Sequence, residues 1–323
     1  MQKKSIEDTF NSYFNMKKDF TIFYSLSIDE EVERIQLTKK NRSLYKCSDK
    51  LKTFHLFFTK FIFNEMPTRT DIVFSYRKDV NISDAVRPHG NSEYIYKTDI
   101  ANFFPSITTS AIKSKILQYK EKLNTIDEED IERYVERITN LCTIDGRLPI
   151  GFSSSPSISN FCFYEYDNLI SQYCNEHHLI YTRYADDIII SSQKEIKKDE
   201  LTAVISAMIS SNPNMQLSIN NKKTKILTKK YERHILGVSL LTDGKITVSK
   251  KTKQDIETKL FLLKTDREKL VDYTKTDEIS AILSIAGTLS QINNIDKDYL
   301  YRLRKKYGNL IISKLLKGKE LFK

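Results

Sequence analysis

The chain has 323 residues, 40% hydrophobic and 29% charged, which excludes a disordered chain and exceeds what one hydrophobic core usually serves. Two or three subdomains are therefore expected. A formal net charge of +10 favours a polyanionic partner, nucleic acid or an anionic membrane, over an acidic one. Cys47, Cys142, Cys162 and Cys174 are scattered, with no C-x-x-C pair, so isolated buried thiols in a reducing compartment are expected rather than a zinc cluster. The start, MQKKSIEDTFNSYF, lacks the apolar core of a signal peptide, and Phe54 to Phe63 is too short to span a bilayer and carries Lys60. A cytoplasmic protein with no membrane partner is the expectation.

In chain order, the first ~75 residues read as helical and aromatic-rich. Phe54, Phe57, Phe58 and Phe61 fall at i, i+3, i+4, i+7, the stripe of a core-facing helix that Pro67 ends. Thr70 to Asn81, TDIVFSYRKDVN, alternates like a strand with Arg77 and Lys78 at its tip. EYIYKTDIANFFPSI, from Glu93 to Ile107, predicts a strand closed by Asp99, with Pro105 blocking its continuation. Thr108 to Cys142 reads as helical, broken near Asn124-Thr125, with a capping-box-like restart at TIDEED. GRLPIGFSSSPSISN is a Gly/Ser/Pro loop feeding one long amphipathic helix. YTRYADDIIISS predicts two strands around Ala185-Asp186-Asp187, followed by a helix near Glu200 to Ser211. MQLSINNKKTKILTKK and RHILGVSLLTDGKITVS read as short strands, the latter pair turning at Asp243-Gly244. Beyond Ser249 the chain is helical, with Ile256, Leu260 and Leu263 marking one core stripe and Ile279, Ile282, Leu283 and Leu289 another.

The chemistry lies in YTRYADDIIISS, where two adjacent carboxylates interrupt a strongly β-forming run. Acids are depleted from strands and are seldom buried unpaired, so pooled charge at a hairpin tip calls for a cation. Hard carboxylate oxygens suit Mg²⁺, which takes its remaining ligands from water and phosphates. Asp99, ending a second apolar strand, is the natural third acid. Such a set could hold two Mg²⁺ ions, with Mn²⁺ able to substitute, for nucleotidyl transfer. Alone, Asp186-Asp187 would equally suit an ordinary turn and Asp99 a surface position. Four further pieces in order argue for a polymerase palm. TDIANFFPSI carries Phe104 five residues after Asp99; RLPIGFSSSPSISN offers a flexible loop before a helix; INNKKTKI carries Lys222 and Lys223; and HILGVSL gives a Gly-containing hairpin.

From about Phe74 to the C-terminus these motifs resemble the reverse transcriptases, specifically the compact bacterial retron and retron-like defence enzymes. The resemblance rests on YTRYADDIIIS, KTDIANFFPSI and RLPIGFSSSPSISN, with DKDYLYRLRKKYGNLI similar to a retron thumb ending. It implies an α+β right-hand polymerase with fingers, an RRM-like antiparallel palm and a helical thumb. The expected parts are N-terminal helices and fingers over 1–95, palm over 96–107 and 146–245 with a fingers insertion at 108–145, and thumb over 246–323. Asp99, Asp186 and Asp187 would hold the metals with the carbonyl of Ile100. Phe104 would sit under the incoming sugar and select deoxynucleotides, and Tyr184 would line the primer terminus. Ile150 and Gly151 would border the incoming nucleotide, and Lys223, in preference to Lys222, would act as acid on the leaving group. Arg77 is the candidate for gripping the triphosphate, with Arg69, Lys78 and Arg87 as competitors.

The chain also departs from the family. Ile150 stands where reverse transcriptases usually carry Gln before the loop glycine, which predicts altered nucleotide handling. Retrons tend to show Asn-Ala-x-x-His and Val-Thr-Gly, for which DAVRPH (Asp84 to His89) and Ile235-Leu236-Gly237 are the nearest matches here. His89 and His234 are thus structural or RNA-contacting. Lys250, Lys251, Lys253, Lys259, Arg302, Arg304, Lys305 and Lys306 fit a helical surface tracking a nucleic-acid backbone, and Tyr299, Tyr301 and Tyr307 mostly pack. The expected function is RNA-directed DNA synthesis in a bacterial cytoplasm, using dNTPs and a structured non-coding RNA as template and primer. The DNA product would serve anti-phage defence with a separate effector protein. The alternatives are a defence-associated or group-II-like reverse transcriptase with different priming, and, in another class, a catalytically idle RNA-binding scaffold.

Overall fold

The computed structural model describes residues 3–37, 42–211 and 214–318, so residues 1–2, 38–41, 212–213 and 319–323 of the expected subdomains lie outside the described residues. It is a mixed helix-and-sheet protein divided into two compact units. One comprises Met1–Lys78, Thr98–Ile189 and Lys197–Lys225; the other comprises Asp79–Lys97, Ile190–Ile196 and Ile226–Lys323. The strands in chain order are β1 (Val32–Leu37), β2 (Arg42–Cys47), β3 (Tyr94–Asp99), β4 (Ile180–Tyr184), β5 (Asp187–Ser192), β6 (Lys225–Thr228), β7 (Arg233–Ile235), β8 (Val238–Leu240) and β9 (Ile246–Val248). A four-stranded sheet has the order β4-β5-β3-β6. Its inner strands are apolar, with Ile95, Tyr96, Ile188, Ile189 and Ile190 buried.

In the first unit an aromatic core forms where helix Ile6–Tyr13 meets helix Asp49–Phe58. Phe10 stacks on Phe54 with centroids 5.1 Å apart and meets Phe57 edge-on at 5.2 Å. Burying one such side chain stabilises by roughly 1.5–3 kcal/mol. Ser48 caps the second helix by accepting from Leu51 N at 3.2 Å. The helix then passes into a π-turn, Thr59–Phe63, that shifts the register. Ile62 and Phe63 consequently face the core, and Phe61, expected there, is only half-buried against Tyr13.

Several expectations are corrected. The N-terminal region is not all helical: β1 and β2 form an antiparallel hairpin with Val32 opposite Cys47 and Ile35 opposite Leu44. Thr70 to Asn81 is not a strand but turns, with Tyr76 at φ 58° and one bridge from Val73 to Arg183. The break before helix Glu128–Leu141 is present, but Asp127 makes no side-chain cap. The long helix after the Gly/Ser/Pro loop is two helices, Ser155–Cys162 and Tyr164–Glu176, jointed at Phe163. From Met215 to Lys230 only β6 is a strand, Met215 and Ile219 contributing single bridges.

In the second unit β7, β8 and β9 form an antiparallel sheet, Arg233 pairing with Leu240 and Val238 with Val248. A helical core gathers Ile256, Leu260, Ala281, Ile285, Leu289, Ile292, Leu303 and Leu315. Helix Glu278–Ile295 thus faces inward along 281, 285, 289 and 292, leaving the expected Ile279 and Leu283 half exposed. Leu263 is partly buried. Tyr299 and Tyr307 pack inside, both hydroxyls bonding Glu257, whereas Tyr301 is exposed. All four cysteines are free and buried, and burial pushes the thiols of Cys142 and Cys174 up to about 12, which keeps them protonated and inert. No helix among the described residues is long and apolar enough to cross a membrane.

Two histidines are buried in the neutral form. Burial holds His55 at about 4 while its Nε2 donates to Leu141 O at 2.8 Å. Burial and the charge of Arg233 hold His89 at about 3, with Nδ1 2.6 Å from Ser191 Oγ. His89 is thus part of the core, and His234 is exposed beside Ser239. Both folded values lie below the ordinary histidine value near 6.5, so the unfolded chain takes up these protons first as pH falls. Their stabilisation is complete above about pH 6.5 and is lost on descending toward pH 4 and then 3, by up to about 1.4 kcal/mol per pH unit for each histidine. The urea midpoint should fall from pH 7 to pH 5, and the fall should shrink in the His55→Gln/His89→Gln variant. An undiminished fall would assign the effect to other groups.

Candidate active site

The YADD segment is the turn between β4 and β5, with Ala185 and Asp186 as its two central residues. Ala185 has φ 55°, the positive value that a type II′ hairpin requires at its first central position. Alanine in that region costs about 1–2 kcal/mol, so the flanking strands must hold it there. Asp186 and Asp187 are half-buried.

Asp99 ends β3 beside this turn. Ile100 N donates to Asp186 O at 3.0 Å, Asn220 N to Asp99 O at 2.9 Å, and Ala101 N to Ser218 O at 2.8 Å. The backbone from 99 to 101 is thereby clamped between the hairpin tip and the segment leading into β6. Thr98 and Thr224 add a side-chain bond of 2.7 Å on the same side. Asp99 is only 6% exposed. Lys223 Nζ lies 2.5 Å from its Oδ2, whereas Oδ1 is buried with no hydrogen-bond partner.

Asp99, Ile100, Phe104, Ile150 and Asp186 line one cleft of about 680 Å³, together with Tyr45 of β2, Arg147 and Asn220. Phe104 is half-buried and meets Tyr76 edge-on at 6.4 Å. Nothing in the sequence marks Tyr76 as a neighbour of Phe104, because it lies in a segment whose alternation predicts a strand and which instead turns where Tyr76 takes φ 58°. Its hydroxyl is pushed up to about 12 by burial first, then by the negative charge of Asp186 and by Tyr184. Gly151 adjoins the cleft at φ 112°, and a Cβ there would lie 2.4 Å from Tyr45 O. Tyr45 N in turn donates to Ile150 O at 2.9 Å, so β2 and the loop fit backbone to backbone. Asp187, Tyr184 and Lys223 do not line the cleft themselves; Asp187 follows lining Asp186 directly, Tyr184 lies two residues before it, and Lys223 lies three residues after lining Asn220. Arg77 is not brought in. Its Nη1 donates to Thr70 O at 2.6 Å and Val73 O at 2.7 Å, and it lines a separate cleft of about 340 Å³.

No group of three or more His, Cys, Asp or Glu side chains among the described residues forms a ready metal cage. The donor set nevertheless fits a hard divalent cation. Mg²⁺ is held by one or two protein carboxylates plus substrate phosphates and water, and Asp99, one of whose oxygens is buried without a partner, lines the cleft with Asp186.

The family model described as reverse transcriptase (RNA-dependent DNA polymerase) matches residues 34–240. Three Escherichia coli proteins are similar over most of the chain. Retron Ec83 reverse transcriptase is 26% identical, covering 77% of this chain and 78% of its own length. Retron Ec73 reverse transcriptase is 29% identical, covering 82% and 83%. Retron Ec86 reverse transcriptase is 25% identical, covering 88% and 83%. A solved telomerase from Candida albicans aligns at a TM-score of 0.41 and 10% identity over 82% of this chain and 50% of that one, a likeness too loose to carry weight.

Gly151→Ala should strain the loop twice, through φ and through contact with Tyr45 O. A loss of roughly 1–2 kcal/mol or more is expected, lowering Tm by several degrees. A parent-like Tm by calorimetry would show that the loop can yield.

Proposed function

Because the chain belongs to the reverse transcriptase (RNA-dependent DNA polymerase) family, we propose that its cleft performs metal-assisted nucleotidyl transfer on a structured RNA, as a retron-type enzyme. The chain is an RNA-directed DNA polymerase. One observation supports the placement of its chemistry above others: Asp99, with one buried oxygen left unpartnered, lines the same cleft as Asp186. Asp99, Asp186 and Asp187, with the Ile100 carbonyl, would hold the two Mg²⁺ ions. Bound there, the ions would supply charge neutralisation and activation of the attacking hydroxyl.

The residues around them have separate tasks. A primer hydroxyl would release its proton to solvent and bond through its oxygen to the α-phosphorus of the dNTP while the bond to pyrophosphate breaks. Lys223, whose amine already reaches Asp99 and whose side chain is largely exposed, would give its proton to the departing pyrophosphate. Phe104 would lie beneath the sugar, where a 2′-hydroxyl would collide with the ring. Ile150 and Gly151 would shape the floor for the nascent base pair, and Tyr184 would border the primer end. For the triphosphate, Arg147, which lines the cleft with Nη1 on Pro105 O, is better placed than Arg77, which lies in a separate cleft with its guanidinium on two backbone carbonyls.

On this reading the fingers, palm and thumb correspond to the sequence ranges given above, and the basic terminal helices track the template–primer duplex. The similarity to retron reverse transcriptases supports a cognate structured RNA that supplies both template and priming hydroxyl. A role in anti-phage defence beside a separate effector belongs to the same proposal.

Primer extension on an RNA template with Mg²⁺ and dNTPs tests the site. Asp99→Asn, Asp186→Asn and Asp187→Asn should each lose more than roughly 100-fold in rate, beyond what outer-shell partners usually cost, at near-parent Tm. Parent-like rates in any of them would overturn its assignment. Phe104→Ala should admit ribonucleotides, read as the ratio of rNTP to dNTP kcat/KM, and an unchanged ratio would remove Phe104 from the gate. Sequencing the co-purifying nucleic acid should return one structured RNA joined to DNA.

A further inference from the structure

Beneath the YADD turn lies an ion pair wholly withdrawn from water. Arg183, next to last in β4, and Asp167, in helix Tyr164–Glu176, both have 0% side-chain exposure. Arg183 Nε donates to Asp167 Oδ1 at 2.8 Å and Nη2 to Oδ2 at 2.6 Å, the parallel bonds of a guanidinium–carboxylate fork. Tyr181 OH donates to Oδ1 at 2.8 Å, and the guanidinium lies over the Phe163 ring at 4.6 Å. Nη1 points the other way, donating to Ala185 O at 3.0 Å and to Asn160 Oδ1 at 3.3 Å.

Stability alone does not account for this arrangement. Replacing a buried ion pair with apolar residues of similar volume is often neutral or stabilising. What apolar residues lack is the donor to Ala185. That carbonyl belongs to the peptide joining Ala185 to Asp186, and Ala185 is the strained residue at φ 55°. The next carbonyl, of Asp186 itself, is held by Ile100 N at 3.0 Å. Both peptide planes flanking Asp186 are therefore pinned, one by Arg183 and one by β3's end. With both planes fixed, the direction of the Asp186 Cα–Cβ bond is fixed too, and β5 starts at Asp187 in a set register.

The geometry points to Arg183 as a positioning residue, anchored by Asp167, that orients the Ala185–Asp186 peptide and so aims the Asp186 and Asp187 carboxylates at a divalent cation. This rests on the site reading proposed above. Lysine cannot replace the guanidinium, because one ammonium cannot form the fork to Asp167 and still reach Ala185 in the opposite direction.

The test compares Mn²⁺ binding, followed by electron paramagnetic resonance of free Mn²⁺, with kcat, dNTP KM and Tm in the full chain. The combined variant Arg183→Met, Asp167→Leu and Tyr181→Phe removes both charges and leaves no buried ion or tyrosine hydroxyl stranded. Its Tm should stay near the parent's while Mn²⁺ binding weakens about 10–100-fold and kcat falls similarly, as for outer-shell partners elsewhere, with dNTP KM within about twofold. Parent-like Mn²⁺ binding and kcat in this variant would overturn the inference. If it does not fold, the folded fraction of Arg183→Lys decides by the same criterion. Asp186→Asn, run alongside, separates the two claims. Parent-like Mn²⁺ binding there overturns the site reading and this inference with it; loss there, with parent-like binding in the combined variant, overturns this inference alone.

Discussion

A carboxylate taken out of water with one oxygen left unpartnered is costly, more so than the roughly 1–3 kcal/mol of a neutral buried group. Asp99 is in that position, and its backbone is clamped there by hydrogen bonds from Asn220 to its own carbonyl and from Ile100 to Asp186. Packing gives no reason for an acid at this place, since an amide or hydroxyl would fit the strand end with less penalty. The lysine amine on one oxygen offsets part of the charge and leaves the other buried and unpartnered, on a residue that lines a cleft with Asp186. In the proposed site, a cation and the phosphates it carries would offset that cost.

The surrounding structure serves to keep that cleft in shape. On one side the loop before helix Ser155–Cys162 closes on β2 so tightly that only glycine fits at 151. On the other, the hairpin turn is seated on a buried fork of guanidinium and carboxylate. The first relies on glycine's freedom at φ 112°, and the second holds Ala185, the neighbour of Asp186, strained at φ 55°. Strain of this kind persists where neighbouring contacts over-determine the conformation, and it gathers at functional sites.

Much of this was legible in the sequence, for physical reasons. The strands flanking Asp99 and Asp186 are rich in β-branched and aromatic residues, so acids interrupting them stand out. Glycine and proline mark the loop between. What stayed hidden depended on tertiary context. In β1 and β2 the apolar residues fall at 32, 35 and 37 and at 44, 45 and 47, so no unbroken period of two marks them as strands. The run from Thr70 to Asn81 alternates like a strand, yet Tyr76 and Asp79 adopt positive φ. The π-turn after Phe58 moved the core from Phe61 to Ile62 and Phe63, a shift that periodicity cannot foresee. In helix Glu278–Ile295 apolar residues occupy more than one face: of the expected stripe Leu289 is buried and Ile282 packs against the core, whereas Ile279 and Leu283 turn outward. Arg183 sat in plain view within YTRYADD, but only the fold shows that it turns inward to Asp167 and Ala185.

The most direct measurement is affinity cleavage with Fe²⁺ in place of Mg²⁺. Hydroxyl radicals generated at the bound ion cut the backbone within a few ångströms of it. The account predicts cuts clustered at 99–101 and 185–187 on the same molecule, suppressed by excess Mg²⁺ and absent in Asp99→Asn. Cleavage at only one of these segments, or at neither, would contradict a shared metal site there.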